Sequence, residues 1–119
     1  MKVSTRTDDG AVVVRVEVAR LVYATLDSFV DQVGPYLEAD RPAVVFDLSS
    51  VNYLDSAAIG CLMDLYRRAA ARHGRIALAG VLERVERMLR MTGAHEFIPI
   101  YGSAADAVRA LGGSSGGNE

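Results

Sequence analysis

The chain has 119 residues, the size of one compact domain, with 50% apolar residues, 24% charged residues and a formal net charge of −2. That balance leaves no basic excess to neutralise a phosphate backbone, so no nucleic-acid partner is expected. No apolar run approaches the ~20 residues that span a bilayer, Met1–Gly10 is polar where a leader would be apolar, and Cys61 has no second cysteine to pair with. The expected setting is a reducing cytoplasm, with no direct membrane insertion. Trp is absent and aromatics are 7% of residues, which points to an interior of Val, Leu, Ile and Ala.

Asp8-Asp9-Gly10 is a turn signal between two extended stretches. Val12, Val13, Val14, Val16 and Val18 form a β-branched run, with Arg15 and Glu17 alternating against it, so a hairpin of Lys2–Thr7 with Ala11–Val18 is expected. Thr25 is a candidate N-cap for a helix carrying Leu26, Phe29, Val30, Val33 and Leu37. Gly34-Pro35 predicts a kink or early stop, because proline lacks the N–H and crowds the preceding turn.

Ala43–Leu48 is a nearly continuous apolar run, suited to a strand covered on both faces. A short loop, Ser49–Asp55, leads into the clearest helix, Ser56–His73, with Ile59, Leu62, Met63, Tyr66 and Ala70 as its apolar stripe and Gly74 as its stop. A buried strand over Ile76–Ala79 follows. Leu82, Val85, Met88 and Leu89 give the next helix its apolar face, and Gly93 ends it. Phe97–Tyr101 is expected as the last strand, at an edge because of Pro99. Ser103 and Asp106 resemble a capping box for a final helix with Ala107, Val108 and Leu111. The expected organisation is one domain over 1–111 and a flexible Gly/Ser tail over 112–119. Strands alternating with helices predict an α/β or mixed α+β fold with a partly parallel sheet.

The candidate site is the junction from Val44 to Gly60. Ser56 stands at a helix start, where free N–H groups and the positive end of the dipole favour an anion. Ala57, Ala58 and Gly60 leave room around its hydroxyl for another protein to approach. Asp55 reads equally as a cap or as a residue orienting Ser56. Asp47 is assigned a structural bond to its own loop. Tyr53 reads equally as an interface anchor or as core. A serine nucleophile needs a positioned base. His73 lies at the far end of the same helix, ~25 Å away, so no enzyme activity is expected. No cofactor and no metal set are read from the two isolated histidines and Cys61, which is assigned as a buried, quiet thiol. Met88 and Met91 are assigned to the core.

Phe46-Asp47-Leu48 through Asp55-Ser56, with the small turn that follows, resembles the signature of STAS domains, bacterial anti-sigma-factor antagonists in particular. Gly74–Ala79, Val85, Leu89, Gly93, Phe97–Tyr101 and Ala104–Val108 extend the resemblance over most of the chain. It implies a mixed β-sheet with helices mainly on one side. It also implies partner switching: the unmodified form binds an anti-sigma factor with serine kinase activity, phosphorylation at Ser56 releases it, and a cognate phosphatase restores it. The partner surface so implied comprises Asp55, Ser56, Ala57, Ala58, Tyr53, Arg20 and Val22. Two departures stand out. Ala57, Ala58 and Ile59 replace the usual hydroxyl, Gly and Leu, and Ala19-Arg20-Leu21-Val22 replaces a Gly-Glu-Leu-Asp-like stretch. Two other readings stay open: a non-phosphorylated STAS accessory subunit of a membrane transport system, and a small-molecule or nucleotide-sensing module.

Overall fold

The computed structural model describes the backbone of residues 1–116 and the side chains of residues 1–111. The elements run β1 (Val3–Asp8), β2 (Ala11–Val16), β3 (Arg20–Leu21), α1 (Leu26–Val33), β4 (Ala43–Asp47), β5 (Tyr53–Leu54), α2 (Ser56–Ala71), β6 (Arg75–Ala79), α3 (Glu83–Thr92), β7 (Ile100–Tyr101) and α4 (Ala104–Gly116), with 3-10 turns at Tyr23–Thr25, Gly34–Leu37 and Ala94–Glu96. This is a mixed α+β domain, as expected.

The main sheet has five strands in the order β1-β2-β4-β6-β7. Its first pair is antiparallel and the others are parallel. The antiparallel pair is closed by Asp9 and Gly10, both at positive φ (50° and 85°), as a two-residue turn between right-twisted strands requires. The period of two along each strand sorts the side chains between two layers. Val14, Val16, Val44, Phe46, Ile76 and Leu78 face α1, α2 and α3, where Phe29, Val33, Leu62, Leu65, Val85 and Leu89 complete the larger core. Ala11, Val13, Val45, Ala77 and Ala79 face Ala107, Val108 and Leu111 of α4. The small side chains of this second layer let α4 lie close to the sheet. Three helices therefore cover one face and one covers the other.

Gly34-Pro35 acts as expected, ending α1 and opening a 3-10 turn with Pro35 in its first positions. Gly74 is demanded by sterics, since a Cβ there would sit 2.3 Å from Pro42.

Several expectations are corrected. Thr25 occupies the cap position of α1, but its side chain makes no capping bond. Its hydroxyl instead donates to the Val22 carbonyl at 2.8 Å. On α2, Ala70 is exposed, and Leu65 and Ala69 take its place in the buried stripe. Leu82 precedes α3 as its cap residue and is 37% exposed, and Met91 is 81% exposed. The closing strand is only Ile100–Tyr101, because Ala94–Glu96 forms a 3-10 turn and Phe97–Pro99 is irregular. The loop expected over Ser49–Asp55 contains β5, which pairs in parallel with β3, and sequence reasoning missed both. Helical backbone continues past Leu111 to Gly116. Of the segment assigned as tail, 117–119 lie outside the described residues.

Candidate functional site

The loop between β4 and α2 is pinned at each step. Asp47 Oδ1 accepts a 3.0 Å bond from the Ser49 N–H, the local role assigned to it. The Leu48 N–H donates to Ala79 O at 3.0 Å, and the Asn52 N–H donates to Ala19 O at 2.7 Å. Val51 and Leu54 are buried and tie the loop to the core. Arg20 pairs with Tyr53 and Leu21 with Leu54, so the segment after β2 lies beside the segment that opens α2.

Asp55 closes this arrangement. Its backbone is extended, with φ −92° and ψ 176°, as a cap residue requires. Oδ1 accepts from the Ala58 N–H at 2.8 Å, within its own helix. Oδ2 accepts from the Tyr23 N–H at 2.9 Å, across the β3–β5 pair. One carboxylate thus holds two elements together. Its pKa is lowered, chiefly by the Tyr23 N–H, with the Ala58 N–H and the Arg20 charge adding to the effect and desolvation opposing it.

With Asp55 as the cap, Ser56 is the first helical residue. It is exposed, and its hydroxyl has no hydrogen-bond partner among the described residues. Ala57 beside it is half-buried. Ala58 is fully buried in the larger core, so its assignment to the partner surface is corrected: three residues into a helix, its Cβ has turned toward the sheet. Tyr53 is half-buried, with the Arg20 guanidinium carbon 4.5 Å from its ring centroid, a cation–π stack on the surface. Val22 is half-buried and Arg20 exposed.

Sequence reasoning missed Tyr23, which is 77% exposed and stands across the Asp55 bond from Ser56. Beyond it runs a groove of about 770 Å³ between α1 and α2, with Leu26 and Val30 on one wall and Ala57, Gly60 and Cys61 on the other. Nothing lies within 4 Å of the position a Cβ on Gly60 would take. The domain's own packing does not demand glycine there, and glycine inside a helix costs about 1 kcal/mol relative to alanine. Cys61 is half-buried, and desolvation raises its thiol pKa, with Asp64 adding to the rise and Arg68 opposing it. Among the described residues no group of three or more His, Cys, Asp or Glu is placed to hold a metal, and no helix is long and apolar enough to cross a membrane.

The family model described as STAS domain matches residues 2–107. A curated relative, an anti-sigma F factor antagonist of Paenibacillus polymyxa, is 28% identical over 57% of this chain; the match spans 58% of that relative's length. An anti-sigma-factor antagonist (STAS) domain protein from Planctomyces limnophilus superposes with a TM-score of 0.85 at 20% identity, covering 92% of this chain and 97% of that one. The Bacillus cell fate determinant SpoIIAA, solved in its phosphorylated form, superposes with a TM-score of 0.68 at 12% identity, covering 92% of this chain and 99% of its own. These last two establish likeness of fold.

Proposed function

The chain belongs to the STAS domain family, and on that premise we propose that it is an anti-sigma-factor antagonist whose partner, an anti-sigma factor with serine kinase activity, binds the unmodified Ser56 face. Phosphorylation of Ser56 releases the partner, and a phosphatase restores the binding form. The observation that carries the reading is the Ser56 hydroxyl: exposed, unbonded and placed at a helix start by an aspartate that takes the capping role itself.

The physical chemistry supports a switch at this position. Phosphate adds roughly −1.5 to −2 charge at neutral pH. The N-terminal N–H groups and dipole of α2 tolerate that charge, so the domain stays folded. A partner surface shaped around a neutral hydroxyl beside the Asp55 carboxylate meets desolvation and like-charge repulsion instead. The partner surface on this reading comprises Ser56, Ala57, Asp55, Tyr53, Arg20 and Val22, with Tyr23 added. The alanine at 58, a departure from the family pattern, leaves this surface unaltered because its Cβ is in the core. The chain's similarity to a relative named as an antagonist and to a neighbour solved in phosphorylated form supports the assignment of partner and modification.

The test is a titration of the captured kinase partner with three forms. Wild type and Ser56→Ala bind alike. Ser56→Asp stays folded by circular dichroism and binds roughly a thousandfold more weakly, about 4 kcal/mol. Equal binding by Ser56→Asp sinks the reading.

A further inference from the structure

The main sheet has two edges, and they are treated differently. The β7 edge is two residues long and follows Pro99, which has no N–H to offer a neighbour. The β1 edge is six residues long, has no proline, and pairs without a bulge from Val3↔Val16 to Asp8↔Ala11. Its central residues Ser4, Thr5, Arg6 and Thr7 are all exposed.

The parity of this strand is set by one bond. The Glu17 N–H donates to the Lys2 carbonyl at 2.9 Å. In an antiparallel pair the bonded positions recur every second residue. Lys2, Ser4, Arg6 and Asp8 therefore direct their main-chain groups at β2. Val3, Thr5 and Thr7 direct theirs outward, where no strand meets them among the described residues.

We infer that β1 is a self-pairing edge: a second copy of this chain adds antiparallel to it about a two-fold axis at Thr5, joining the two sheets. In that register Val3 meets Thr7 of the second copy and Thr5 meets its counterpart, so all the outward N–H and C=O groups are used, roughly six hydrogen bonds in total. The same register sets Lys2 opposite Asp8 of the second copy, twice by symmetry, and Ser4 opposite Arg6. Charge selects it from its neighbours. A shift of two residues one way puts Lys2 against Arg6, and a shift the other way puts Arg6 against Arg6, and like charges directly opposite are destabilising. The contact involves one strand from each copy and falls below the ~1,200 Å² of a standard stable interface, so the dimer is weak and concentration-dependent. Ser56 and Tyr23 are not on β1, so the dimer presents two copies of the proposed partner face, and a multimeric partner gains avidity from it. The inference does not depend on the function assigned to Ser56.

Analytical ultracentrifugation of the full chain over a wide concentration range reads the association. Wild type goes from monomer to dimer as concentration rises, and the Thr5 and Thr7 amides become protected in hydrogen exchange. Thr5→Pro removes an N–H that β2 does not use and abolishes the dimer. Asp8→Lys sets like charges opposite each other and weakens association about tenfold. Adding Lys2→Asp to Asp8→Lys restores the opposite-charge pairs and the dimer, which a general loss of folding cannot imitate. The charge series decides the question alone if Thr5→Pro fails to fold. The inference is overturned if wild type stays monomeric at millimolar concentration, if it associates without protecting Thr5 and Thr7, or if the edge accepts only an extended segment of another protein.

Discussion

At the start of α2 the carboxylate of Asp55 is the cap and the serine after it is left over. At the start of α4 the roles are exchanged. Ser103 Oγ accepts the Asp106 N–H at 3.1 Å, and the Asp106 carboxylate turns to Arg109. Both starts combine one serine, one aspartate and two alanines, Ser56-Ala57-Ala58 and Ser103-Ala104-Ala105. The order of the two polar residues decides which oxygen is occupied. Serine three residues before aspartate spends its hydroxyl on the helix. Aspartate immediately before serine spares the hydroxyl and leaves it exposed over the helix N-terminus. The second difference is reach: Ser103 caps its own helix, whereas Asp55 also holds Tyr23 of a separate segment.

Removing the caps separates these two differences. Asp55→Ala loses bonds to Ala58 and Tyr23 and is expected to cost roughly 1–2 kcal/mol in urea unfolding, with faster hydrogen exchange at Tyr23 as the sign of its cross-element role. A loss confined to α2, with Tyr23 exchange unchanged, breaks the comparison. The pH dependence carries the same signature. Asp55 has a folded-state pKa below its ordinary 3.8. Its contribution to stability is therefore present above the unfolded value and is lost as pH falls through the folded one. Asp55→Asn should flatten the acid limb of a stability-versus-pH curve there, and an unchanged limb argues against the carboxylate bonds.

Ser103→Ala comes next, at roughly 0.5–1 kcal/mol, because one neutral cap is lost near the end of the chain. The smallest effect is Ser56→Ala, within about 0.5 kcal/mol of wild type, since that hydroxyl has no hydrogen-bond partner among the described residues. A larger loss at Ser56 than at Ser103 reverses the assignment of free and occupied hydroxyls.

Much of this was readable in the chain itself. The Val-rich alternation of β2, the apolar run of β4 and the Asp9-Gly10 turn each carry a period or a backbone requirement that survives without tertiary context. The Asp55-Ser56 pair was readable too, but with Asp55 left between a cap and an orienter of Ser56; which oxygen caps depends on where the helix begins. The burial of Ala58 follows from that same starting point, since each residue turns the helix by about a hundred degrees. The strands β3 and β5 are two residues each, too short to show a period. Tyr23 is a case of position alone: its exposure arises because the β3–β5 pair and the Asp55 bond hold the segment on the surface. Thr25 has the composition of a cap, yet its hydroxyl donates to the Val22 carbonyl and makes no capping bond to α1.

The most direct test of the switch is where phosphate goes. The full chain, incubated with its cognate kinase and ATP and mapped by tandem mass spectrometry, should carry phosphate on Ser56 and none on Ser103, and Ser56→Ala should take up none. Phosphate on Ser103 or on another residue, with Ser56 unmodified, contradicts the account.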